Sequence, residues 1–168
     1  MLPESPPPEF SRPLALGRVG VEGRTELLEA DAAECAALAR RFGIPAVASL
    51  RARLRLEPEE DGSIRVAGRL EASVVQDCVV TLEPVAQRVD AAIGFRVLPA
   101  GREAADGPDD LDEIESENDV VDLGEAVAEQ LALALDPYPR APDAALPPEA
   151  VDEASGAFAA LAALRRKV

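Results

Sequence analysis

Along three runs between residues 49 and 97, apolar side chains recur at every second position, and this pattern constrains the fold more than anything else in the chain. In "SLRARLRLE" the even positions Leu50, Ala52, Leu54 and Leu56 are apolar, and Arg51, Arg53 and Arg55 lie between them. The second run places Ile64, Val66, Gly68, Leu70, Ala72 and Val74 on one face, with Arg65 and Arg69 on the other. The third places Val85, Val89, Ala91, Ile93, Phe95 and Val97 together. A period of two is that of a strand with one face buried. "EEDG" (59–62) supplies the first turn, with a glycine for a left-handed position, and Pro84 marks a break before the third run. The second strand is expected to run on through Cys78, Val80 and Leu82. Three such strands predict an antiparallel meander whose apolar face needs a cover.

Two amphipathic helices can supply that cover. In "DAAECAALARRFG", Asp31 stands at an N-cap with Glu34 three residues on, the spacing of a capping box. Cys35, Leu38, Ala39 and Phe42 form its apolar stripe, Arg40 and Arg41 suit its C-terminal dipole, and Gly43 and Pro45 end it. Asp122 and Glu125 repeat the capping-box spacing before Leu123, Val127, Leu131 and Leu135, which recur at intervals of four, and Pro137 ends that helix. Two short extended segments, 10–19 and 23–30, precede the first helix. The predicted fold class is α+β: an antiparallel β meander packed against two or three helices, with a partly closed barrel as the alternative.

The predicted organisation has four parts. Residues 1–9 form a loose N-terminal segment, and 10–136 a single α+β domain with an acidic loop at about 101–119. Residues 137–154 form a Pro-rich linker, and 155–168 a C-terminal docking helix or tail. In that tail Phe158, Leu161 and Leu164 share one helical side, followed by Arg165, Arg166 and Lys167. "DVVDL" (119–123) is expected to add a short strand.

Charge narrows the partners. The net charge is −15, divided as −3 over residues 1–100 and −12 over 101–168. From Glu103 to Glu125 there are eleven acidic residues and no basic one. Such a field repels phosphate and favours a basic protein as partner. Asp109, Asp110, Asp112, Glu113 and Glu115 are therefore the candidate partner-binding carboxylates. Arg51, Arg53, Arg55, Arg65 and Arg69 should share one face of a hairpin. Three readings of that face stay open: a solvated surface with cross-strand pairs to Glu57 and Glu71, a platform over which the acidic loop folds, or an RNA-facing patch. No aromatic residue interleaves with these arginines for base stacking.

Catalytic chemistry is sparse. The chain has no histidine and a single lysine, in the tail. No phosphate loop, dinucleotide fingerprint or nucleophile elbow occurs. The carboxylates are paired only in the acidic run, where nothing apolar is placed to raise a pKa. The expectation is a protein that is not an enzyme, with no catalytic residue, cofactor, metal or small-molecule substrate. The two cysteines, Cys35 and Cys78, read as buried thiols of a reducing compartment. The N-terminus lacks a signal-peptide pattern and no apolar run is long enough to span a membrane. A cytoplasmic protein is expected.

Taken in order, "CVVTLEPV" (78–85), the acidic gap and "VDLGEAVAEQLALALDPYPRAPDA" (121–144) resemble the YceD family, and the closing "FAALAALRRK" is similar to that family's tail. The resemblance covers roughly residues 47–144 and the tail. It implies a bacterial or plastid origin and a role in synthesis, processing or stability of large-subunit rRNA and in early ribosome assembly. The implied partner is a ribosomal protein or pre-ribosomal particle, with direct rRNA contact left open. Many members resemble a Cys-x-Arg-Cys-Leu pattern at the strand break. Here Thr81 stands in place of the second cysteine, and no cysteine follows the helix, so a zinc site like that of such relatives is not expected. The alternative function is an interaction adaptor unrelated to ribosomes, binding through Phe158, Leu161 and Leu164.

Overall fold

The computed structural model describes residues 8–104 and 111–145. Its strands are β1 (Pro13–Ala15), β2 (Arg24–Glu29), β3 (Ala46–Pro58), β4 (Ile64–Asp77), β5 (Pro84–Leu98), β6 (Asp112–Glu115) and β7 (Val120–Asp122). Its helices are α1 (Ala32–Phe42) and α2 (Leu123–Ala134), and a single 3-10 turn follows β1. Five strands form one sheet in the order β2-β3-β4-β5-β6, and β1 pairs with β7 in a separate two-stranded ribbon. Neighbours from β2 to β5 are antiparallel, and β6 adds to β5 in parallel. Among the described residues no pairing joins β2 to β6, so the sheet stays open rather than closing into a barrel.

Each period-two run becomes a strand with the expected face buried. Leu50, Leu54, Leu56, Val66, Leu70, Phe95 and Val97 are fully buried, while Arg51, Arg53, Arg55, Arg65 and Arg69 are exposed. Burying each such leucine or phenylalanine is worth about 1.5–3 kcal/mol, which makes the alternation the main driving term for the sheet. At the β3–β4 turn Gly62 takes φ 86°, and the Asp61 carboxylate accepts a hydrogen bond from the Ser63 N–H at 2.9 Å. The second strand is shorter than the sequence suggested. It ends at Asp77, and Cys78–Glu83 form a turn in which the Leu82 N–H donates to the Cys78 carbonyl. Leu82 sits at φ 60° and is 76% exposed. The period breaks here because the chain must reverse, and Pro84 opens the next strand where no ladder donor is needed.

Both helices lie on the apolar face. α1 packs on β3 through Cys35, Leu38 and Ala39, its capping box is complete, and Gly43 closes it at φ 64°. α2 buries Leu123, Ala126, Val127, Ala128 and Leu131 against β4, β5 and β1. The second capping box forms only in part. Asp122 accepts from the Gly124 and Glu125 N–H groups, but the Glu125 carboxylate turns away to Arg41 on α1, at 2.6 and 2.8 Å. An ion pair between the two helices has replaced a local hydrogen bond.

The chain that follows α2 folds back on the β4–β5 turn. Gln76 Nε2 donates to the Asp136 carbonyl at 2.9 Å, and the Val79 N–H donates to the carbonyl of the buried Pro139 at 2.9 Å. Among the described residues no helix is long and apolar enough to cross a membrane.

Candidate interaction surfaces

The acidic stretch that reads as a loop contains β6. Aspartate and glutamate are poor strand formers, so the local sequence carries little signal. Its position comes from the β5 edge and from Arg96. The Arg96 guanidinium lies 2.8 Å from Glu59 and 3.3 Å from Glu113, whose side chain is only 12% exposed. A tight hairpin then leads into β7. Glu117 and Val120 exchange both backbone hydrogen bonds, at 2.9 and 3.0 Å, around Asn118 and Asp119 at φ 52° and 58°. Two positive φ values are those of a type I′ turn, which Asn and Asp tolerate better than most residues. The dipeptide Asn118-Asp119 was the available signal for this turn. β7 pairs with β1, where Asp122 clamps the N-terminal segment by accepting from the Arg12 N–H at 2.7 Å and the Ser11 hydroxyl at 2.5 Å.

These elements enclose an open groove of about 960 Å³ between the β6–β7 hairpin and the first turns of α2. Pro13, Ile114, Val120, Val121 and Ala126 give it an apolar lining. Glu9, Glu115, Glu117, Asp122, Glu125 and Glu129 surround them. Arg41 is the one basic side chain of the lining, and Glu125 and Glu9 already hold it. Glu117 and Glu129 make no side-chain hydrogen bond or ion pair among the described residues. Among the described residues the groove is therefore negative, with no further basic side chain in its lining to neutralise it.

The five candidate carboxylates separate. Asp109 and Asp110 lie outside the described residues. Glu115 lines the groove and accepts from the Ala104 N–H at 3.2 Å. Asp112 lies 3.4 Å from Gln130 Nε2. Glu113 faces the other side of the sheet with Arg96, where it holds β6 in place. Glu9, Glu117 and Glu129 join the groove without having been singled out, because only the fold brings three distant segments together. Phe158, Leu161 and Leu164 lie outside the described residues.

The five arginines share the sheet's open face. Arg51 pairs with Glu29 on β2 at 2.8 Å, Arg69 with Asp90 on β5 at 2.5 and 2.7 Å, and Arg55 with Glu57 at 3.4 Å. Glu57 is a partner along its own strand rather than across strands as expected, and the cross-strand pairs are made by Glu29 and Asp90, which hold the arginines that border Glu71. Arg53 stands directly opposite Arg69, and Arg65 opposite Arg96. Arg53 and Arg65 form no ion pair among the described residues. Arg88 and Arg96 share this face too, and Glu29, Glu57, Glu71, Asp90 and Glu113 interleave with the arginines, so the face is basic in excess but mixed in sign.

Cys35 and Cys78 are both buried thiols. The Cys78 sulfur accepts from the N–H groups of Val80 and Thr81, each at 3.4 Å, and of Ala141 at 3.3 Å. The Thr81 side chain, then the Ala141, Thr81 and Val80 N–H groups, pull this thiol down to about 7. Its geometric effect is to tie the β4–β5 turn to the chain beyond α2.

Comparison with curated proteins and with solved structures gives no match. A family model does match, over residues 66–165, from β4 through α2 and onward. On that match the chain belongs to the family described as large ribosomal RNA subunit accumulation protein YceD.

Proposed function

We propose that this protein supports the synthesis, processing or stability of large-subunit rRNA, and early ribosome assembly, without performing chemistry itself. In this reading it works in the cytoplasm by holding a basic protein of the pre-ribosomal particle on its acidic surface. Family membership supplies the ribosomal context. The observation that carries the mode of action is the groove beside β6, where carboxylates from three segments meet around an apolar lining with a single, already satisfied arginine. Charged rims of this kind steer oppositely charged partners and exclude like-charged ones, while the apolar lining supplies contact energy. The arginine face is less suited to lead, because three of its five candidate arginines are already paired and the molecule around it is negative.

The test is the ratio of large- to small-subunit rRNA in cells depleted of the protein, beside a complemented control. A selective fall in the large-subunit species, restored by the intact chain, is expected. An unchanged ratio with depletion verified would overturn the ribosomal role and put the adaptor reading first.

A further inference from the structure

We propose that the groove receives an extended, lysine- and arginine-rich peptide segment that adds as a strand to the open edge of β6. The proposal rests on the reading above of a protein partner held on the acidic surface, and it specifies the partner's chemistry and mode of attachment.

Three observations converge on it. The first is topological. β6 is the last strand of its sheet, with β5 on one side and no strand on the other among the described residues. Half the backbone N–H and C=O groups of an edge strand point away from its one neighbour, which makes the edge a template for another chain. The second is shape. The groove is lined by Ile114 and Glu115 of β6 and by Ala126 and Glu129 of α2, so it lies alongside the strand. A segment lying there can meet the β6 backbone and the apolar lining together. The third is charge. Glu117 and Glu129 are exposed carboxylates of the groove without a partner among the described residues, and Arg41 is fully engaged. A neutral or acidic segment would leave them unpaired or repelled; a lysine or arginine at alternate positions would meet them. The side chains of a strand alternate between its faces, so such a segment can present basic groups to the rim and apolar groups to the lining.

The experiment measures binding of a fluorescent peptide of alternating lysine and valine to the full chain by anisotropy. The double variant Glu117→Gln/Glu129→Gln should bind about tenfold more weakly, and a wild-type far-UV circular dichroism spectrum with a melting temperature no lower than wild type will show that its fold is intact. A peptide of the same sequence, N-methylated at alternate residues, keeps the charge but cannot complete a ladder, and it should also bind about tenfold more weakly. Equal binding by the double variant would overturn the groove. Equal binding by the methylated peptide would overturn strand addition. Binding that appears only when Arg165, Arg166 and Lys167 are changed to glutamine would make the chain's own tail the occupant and overturn a separate partner. Failure here with a selective fall of large-subunit rRNA on depletion leaves the ribosomal role standing. Binding here without that fall does the reverse.

Discussion

At the scale of single residues, the start of α2 shows how function and stability share the same few atoms. Asp122 is at once the helix cap, the clamp on residues 11–12 and part of the groove lining. Gly124, two residues on, is buried where the N-terminal segment crosses the helix. A Cβ there would lie 2.4 Å from the Phe10 carbonyl oxygen and 2.9 Å from the Arg12 nitrogen. Helix propensity alone would favour Gly124→Ala by about 1 kcal/mol. Both contacts are with backbone, which cannot rotate aside, so the clash should win. Urea unfolding of Gly124→Ala is expected to show a net loss of about 1–3 kcal/mol. A gain in stability would mean that residues 10–12 do not press on α2 as described. Asp122 was legible as a cap from its spacing to Glu125. Its hold on Ser11 and Arg12, more than a hundred residues away, was not.

At the scale of elements, what the sequence revealed and what it hid follow from where each element's stability originates. β3, β4 and β5 carry their own signal, since the alternation that drives burial is written locally in Leu50 to Leu56, Ile64 to Val74 and Val89 to Val97. α1 and α2 do so through their stripes and caps. β6 carries almost none. It is short and acidic, it pairs in parallel with β5, and Arg96 anchors it from the neighbouring strand through Glu113, while Glu59 holds the same guanidinium from the turn before β4. The groove was therefore out of reach of sequence reasoning, although four of its acidic side chains fall in the conspicuous run from 103 to 125. The same dependence makes β6 separable. Arg96→Met keeps the length of the side chain and removes its charge. Hydrogen exchange at residues 112–115 should rise at least about tenfold, while β3 and β4 stay protected. Unchanged protection at 112–115 would show that backbone pairing to β5 suffices to hold the strand.

At the scale of the whole molecule, the two faces of the sheet and the two halves of the chain divide the work. The covered face holds the core, and on the open face Glu29, Glu57 and Asp90 match Arg51, Arg55 and Arg69, while Arg53 and Arg65 form no ion pair among the described residues. The unmatched charge collects elsewhere, with −12 of the net −15 carried by residues 101–168. Two electrostatic contributions then oppose each other in the stability of the chain. The surface ion pairs favour the folded state, but exposed pairs of this kind are worth about 0–1 kcal/mol each and lose that in salt. Self-repulsion among the carboxylates disfavours the folded state and is also relieved by salt, over a screening length that falls from about 30 Å at 0.01 M to about 3 Å at 1 M. Repulsion acts over more pairs and longer distances than the contacts do, so its relief should prevail. The melting temperature at pH 7 is expected to rise by a few degrees as sodium chloride is raised from low concentration to about 0.5 M. The double variant Glu117→Gln/Glu129→Gln, which removes two of the unneutralised groove carboxylates, should start higher at low salt and rise less. A melting temperature that falls with salt would assign the dominant electrostatic role to the ion pairs. The groove would then be a local negative patch on a molecule stabilised by its charges, rather than the point where a destabilising excess waits for a basic partner.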